Sequence, residues 1–144
     1  MDILRARGGE GRAREDRAGE DRAGEDRARA QLARQAAAFS LGVPVEAVQA
    51  SGRGTAAAAQ ARQVAMYLAH IAFEMSLARV ALAFGRDRST VAYACHKVED
   101  MRDDPAFDAR MDDLETSLRA MPAPGRVMGM PARTGAPMAA GMSW

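Results

Sequence analysis

The sequence has one cysteine, Cys95, in 144 residues, so no internal disulfide can form. It has two histidines, His70 and His96, far apart in the chain, so no metal site and no cofactor are expected. No apolar run approaches the roughly 20 residues needed to span a bilayer. The N-terminus is charged rather than apolar, which argues against a signal peptide and for a cytoplasmic setting. There is no Gly-X-X-X-X-Gly-Lys-Ser/Thr phosphate loop and no Asp-rich strand to hold magnesium. Carboxylates at Asp100, Asp103, Asp104, Asp112, Asp113 and Glu115 read as exposed helix faces, not as an acid–base pair held in a cleft. Cys95 falls on an apolar stripe and reads as a buried structural thiol. No enzyme, small-molecule substrate or membrane partner is expected.

What is present is balanced charge, with 20 basic against 19 acidic residues, and the balance conceals a local excess. From Arg79 to Lys97 the charges are Arg79, Arg86, Arg88 and Lys97, opposed only by Asp87. Charge acts over roughly 10 Å at moderate salt, so the local patch outweighs the total.

The chain divides into three parts. Residues 1–30 repeat Ala-Gly-Glu-Asp-Arg with eight Arg and eight Asp or Glu. A period of five matches neither helix nor strand, which predicts a disordered tail or a fraying, charge-laced helix. Residues 121–144, rich in Pro, Gly, Ala and Met, read as a flexible tail ending in Trp144. The structure should reside in 31–120, an all-α bundle. Leu32, Ala36 and Phe39 have helical spacing. Pro44 opens a short turn after Gly42, and Gly52 to Thr55 is a loop. The longest helix is expected from Ala57 to Met75, with Val64, Leu68, Ile71 and Met75 inward. Ser76 caps the next helix, in which Leu77, Val80, Ala81 and Phe84 face inward, and Gly85 stops it. Val91, Ala94, Cys95, Val98 and Met101 form another stripe. Asp104-Pro105 opens a final helix with Phe107, Met111, Leu114 and Leu118 inward.

Ser76 to Met101 therefore has two short helices around a glycine-started turn, the layout of a helix-turn-helix. Its second helix turns Arg88, Ser89, Thr90, Tyr93, His96 and Lys97 outward. A helix N-terminus attracts phosphate, arginine grips guanine edges, and aspartate accepts from cytosine. Spacing alone fits a recognition helix or an ordinary helical hairpin with Asp87 as its carboxylate cap, and leaves the two open.

The runs Ala61-Arg62-Gln63-Val64-Ala65-Met66-Tyr67-Leu68-Ala69, Ala83-Phe84-Gly85-Arg86-Asp87, Ser89-Thr90-Val91 and Ala94-Cys95-His96-Lys97-Val98-Glu99 resemble the C-terminal DNA-binding domain of the bacterial replication initiator DnaA. The likeness covers Gln31 to about Leu118. It implies double-stranded DNA as partner, with base contacts from Asp87, Arg88 and Ser89. It implies phosphate contacts from Arg62, Gln63, Arg86, Thr90 and Lys97. Arg53 in the short Gly52-Arg53-Gly54 loop is the candidate for a minor-groove or backbone contact.

Departures from the family pattern shape this expectation. Gly85 stands alone where the family has two glycines, Arg88 replaces a histidine and shifts preference toward guanine, and His96 stands where arginine is common. The resemblance implies a nucleoid-associated protein reading DnaA-box-like sites without the ATPase motor. It would regulate replication initiation or transcription, with the initiator or other replication proteins as possible partners. The competing expectation is a protein-interaction module that kept the fold and lost DNA affinity, docking through its acidic last helix or its tails.

Overall fold

The computed structural model describes residues 2–50, 52 and 54–122, with side chains from residue 14 onward. Among these there are six helices and no strand: α1 (Asp2–Leu41), α2 (Val45–Gln49), α3 (Ala56–Ile71), α4 (Leu77–Phe84), α5 (Arg88–Met101) and α6 (Pro105–Arg119). None is long and apolar enough to cross a membrane. The all-α expectation holds. Expectations for residues 123–144, Trp144 among them, and for Arg53 lie outside the described residues.

The bundle forms around α3. Its residues Val64 to Ala69 are all buried, a run that only a central helix tolerates. α3 touches each of the other helices. Its start is set by Gly54, which takes a left-handed φ of 60°, and by Thr55, whose Oγ1 accepts from the Ala58 N–H at 3.0 Å. Its end differs from the sequence expectation. The helix stops at Ile71, and Met75 reaches the core from the connector beyond it. Glu74 has φ 55°, a turn no helix can contain, and the His70 Nδ1 lies 2.7 Å from the Met75 carbonyl, holding the connector down. A carbonyl only accepts, so Nδ1 is the protonated nitrogen.

α1 packs on α3 through Ala33, Ala37 and Ala38, all buried, and Ala30 is buried as well. Methyl side chains let the two backbones approach closely, and each buried methyl contributes about 0.8 kcal/mol. The expected stripe through Leu32, Ala36 and Phe39 is displaced by one position. Leu32 and Ala36 are half-buried at its margin, and Phe39 is 89% exposed. In a helix with alanine on most faces, the close-packing face outcompetes the one carrying the larger residues.

Of the two states left open for the charged tract, the structure has the helical one, continuous across residue 30 into the core helix. Asp26 is only 5% exposed and anchors this region. Arg79 of α4 donates to both its oxygens, at 3.0 and 2.7 Å, and Arg29 adds a third bond at 3.0 Å. Burial alone would raise the Asp26 carboxyl, but the bonds and charge of Arg79, helped by Arg29, hold it below the ordinary carboxylate range. Arg79 is thus spent on the fold and drops out of the basic patch read from the sequence.

Of the acidic clusters, Asp100, Asp103, Asp104, Asp112 and Asp113 are exposed as expected, and Glu115 departs from expectation. Glu115 is 8% exposed, not on an outer face, because Arg102 projects from the end of α5 into α6. Arg102 donates to Asp108 at 2.6 Å, to the Tyr67 hydroxyl at 2.8 Å, and to Glu115 and Asp112. Arg119 lies 3.4 Å from the second Glu115 oxygen. Asp104 caps α6, accepting from the Phe107 N–H at 3.1 Å with Pro105 next to it, as the sequence signals. These carboxylates are structural counterions.

Candidate nucleic-acid interface

α4 and α5 are held together by Val80, Ala81, Val91, Ala94 and Val98, all buried and mostly small. Ser76 starts α4 by accepting from the Arg79 N–H at 3.2 Å. Gly85 ends it at φ 64°, ψ 39°, and the Arg86 N–H returns to the Ala81 carbonyl at 2.9 Å. Three residues, Gly85 to Asp87, then carry the chain into α5.

Asp87 occupies the N-cap position of α5 with φ −75° and ψ 151°, yet its carboxylate makes no capping hydrogen bond. Its side chain is exposed, as are Arg88, Ser89 and Thr90 after it. The reading of Asp87 as a mere carboxylate cap therefore lacks its defining bond. Successive helical residues turn by about 100°, which places Ser89, Tyr93 and His96 near the middle of the solvent face. Arg88 and Lys97 mark its two margins. Tyr93, His96 and Lys97 are exposed, Tyr93 at 62%. Asp87, Arg88, Ser89, Thr90 and Lys97 are all exposed, with Arg88 and Lys97 about 180° apart around the axis of the 14-residue helix.

Arg62 and Gln63 lie half-buried in α3. Arg62 donates from Nη1 to the carbonyls of Ala47 at 3.1 Å and Ala50 at 3.5 Å, tying α2 to the head of α3. Arg62 and Arg86 also line one groove of about 450 Å³ with Gly52, Gly54, Thr55, Ala56 and Ala59. Sequence reasoning missed a neighbour of this group. Arg34 of α1 lies over the Phe84 ring at 4.4 Å, one residue before Gly85, so it adds a guanidinium beside the turn. Nothing local signals this contact, because its partners stand fifty positions apart.

A second cleft, of about 220 Å³, is lined by Tyr67, His70, Ile71, Leu77, Ala92, Cys95, His96 and Glu99. The fold thus joins the two histidines that look unrelated in sequence. Among the described residues, no group of three metal-ligating side chains is placed to hold an ion. Tyr67 donates to Glu99 at 2.9 Å, and burial together with Glu99 pushes its phenol up to about 12. Burial, with Glu99 nearby, pushes the half-buried Cys95 thiol up to about 11. Such a thiol is a poor nucleophile near neutral pH.

The family model described as the bacterial dnaA protein helix-turn-helix matches residues 31–98. That segment is a DnaA-type helix-turn-helix domain. The chain is similar to the chromosomal replication initiator protein DnaA of Symbiobacterium thermophilum, at 42% identity over 66 residues. It is similar to the DnaA protein of Mycobacteroides abscessus, at 48% identity over 54 residues. These matches take in 44% and 38% of this chain but only 14% and 11% of those proteins. A solved structure titled as a DNA replication initiation factor aligns with a TM-score of 0.60 at 28% identity, over 69% of this chain and 31% of that one. The DnaA-type domain includes α2 to α4, the core-facing end of α1 and most of α5, so all the residues gathered at the exposed turn lie within it.

Proposed function

We propose that the DnaA-type domain binds double-stranded DNA sequence-specifically, with α5 in the major groove. Asp87, Arg88 and Ser89 meet base edges, while Arg86, Thr90 and Lys97 contact phosphates. Arg62 and Gln63 lie alongside at the head of α3, and Arg62 adds charge there while it anchors α2. The reading extends to DnaA-box-like sites at which binding regulates replication initiation or transcription. Its strongest support is the exposed first turn of α5, where Asp87 and Arg88 project without the capping bond that an ordinary helical hairpin would use. A helix N-terminus adds partial positive charge at the same place. Against the rival reading, docking through the acidic last helix or the tails, stands the engagement of Asp108, Asp112 and Glu115 of that helix by Arg102.

Selection of binding sites from random duplexes at two salt concentrations tests the proposal. Enrichment of a defined sequence is expected. With about four to six phosphate contacts, log affinity should fall with log salt at a slope of roughly −4 to −5. On the selected site, Arg88→Ala should weaken specific binding more than nonspecific binding, by about 1–3 kcal/mol, and Lys97→Ala should weaken both alike. Wild-type affinity in both variants would refute the assignment of α5 as the recognition helix.

A further inference from the structure

We infer that Arg34, Arg62 and Arg86 together form one site for a phosphodiester of the DNA backbone, with Arg34 as a phosphate-gripping residue supplied by α1; this rests on the duplex-binding reading above. The three guanidiniums come from three parts of the fold: α1, α3 and the turn before α5. Arg62 and Arg86 share the walls of one groove, and Phe84 fixes Arg34 beside the turn that carries Arg86. Among the described residues, neither Arg34 nor Arg86 is in an ion pair, whereas Arg29, Arg79, Arg102 and Arg119 each have a carboxylate.

Burial and the charge of Arg86 hold both Arg34 and Arg62 below the usual guanidinium range. Like charges kept together at that cost are relieved by an anion from outside. The groove suits one. Gly52 and Gly54 line it, and the N-terminus of the 16-residue α3 opens onto it at Thr55. A phosphodiester carries the single negative charge and the acceptor oxygens that arginine forks match.

The test uses the full chain and a labelled duplex carrying its selected site, with binding followed over a salt series. Arg34→Gln should weaken binding to the selected and to an unrelated duplex by a similar factor, about 5–10-fold, and lower the salt slope by about 1. Arg34→Glu should weaken binding further while its melting temperature does not fall, because the introduced carboxylate relieves repulsion with Arg86. Methylphosphonate substitution, one phosphate at a time, should reveal a position where the loss is not additive with Arg34→Gln. Unchanged affinity and slope in Arg34→Gln would overturn the inference, as would a binding loss matched by lowered thermal stability. A wild-type chain with no salt-dependent affinity for any duplex would instead overturn the parent reading.

Discussion

Two regions of the molecule use arginine in opposite ways. At the junction of α5 and α6, Arg102 is enclosed by Asp108, Asp112, Glu115 and the Tyr67 hydroxyl. Burial opposes its charge, but the bonds it donates to Asp108, Glu115 and Tyr67 hold the guanidinium above its usual range. At the turn before α5, Arg34 and Arg62 are instead destabilised by burial and by Arg86. A cation surrounded by its own acids fastens helices together and offers little to a polyanion. Arg34, held over the Phe84 ring beside the charge of Arg86, instead adds positive charge next to an exposed turn, and Arg62 adds more while it holds α2 through the Ala47 and Ala50 carbonyls. Net charge near zero, which argues weakly against nucleic-acid binding, is the sum of these two unlike regions.

Removing the satisfied arginine should have the largest effect. Arg102→Ala leaves Glu115 buried without its main partner, and thermal or urea unfolding should show a loss of about 2–4 kcal/mol. Duplex affinity measured well below the melting point should hardly change, and a parallel loss of binding would erase the contrast between the two regions.

Asp26 tests an intermediate case, a satisfied pair that ties α1 to α4. Asp26→Asn should cost about 1–2 kcal/mol at neutral pH, from the loss of charge-assisted bonds. Because the folded carboxyl sits below its ordinary value, the unfolded chain takes up the proton first as pH falls. The difference between wild type and Asp26→Asn should therefore stay constant above about pH 5 and shrink below about pH 4. A difference that grew with acid would contradict the pairing with Arg79.

The smallest effect is expected at the turn. Gly85→Ala meets no neighbouring atom, so its cost is only backbone strain at φ 64°, about 1 kcal/mol. Its effect on duplex binding should exceed that small loss if the angle of Arg86 and Asp87 matters, and equal affinities would show that the turn tolerates rearrangement.

Features set by neighbours in the chain were legible in advance. Ser76, Gly85 and Asp104-Pro105 mark helix ends through contacts spanning only a few residues. The stripe Val91, Ala94, Val98 is regular enough to orient α5. Distant pairings were not legible. Asp26 meets Arg79 across 53 positions and Tyr67 meets Arg102 across 35, and no periodicity encodes either. Phe39 misled for a related reason. Its size suggests core, but the face of α1 is chosen by which alanines allow α3 to come near. Met75 keeps the spacing of the helix before it although the backbone has already turned at Glu74. In the candidate interface, exposure of Asp87, Arg88, Ser89, Thr90 and Lys97 agrees with the sequence reading, while Arg34 enters only through tertiary packing.

The 40-residue span of α1 has a mechanical consequence. A continuous helix advances about 1.5 Å and rotates about 100° per residue. Its far end is therefore indexed, in distance and in heading, to the shaft's grip at Asp26 and to α4 beside it. Inserting one residue near Gly19 would swing everything upstream by more than a quarter turn while leaving the bundle untouched. Each glycine within the helix, Gly19 and Gly24 among them, softens such a shaft by about 1 kcal/mol.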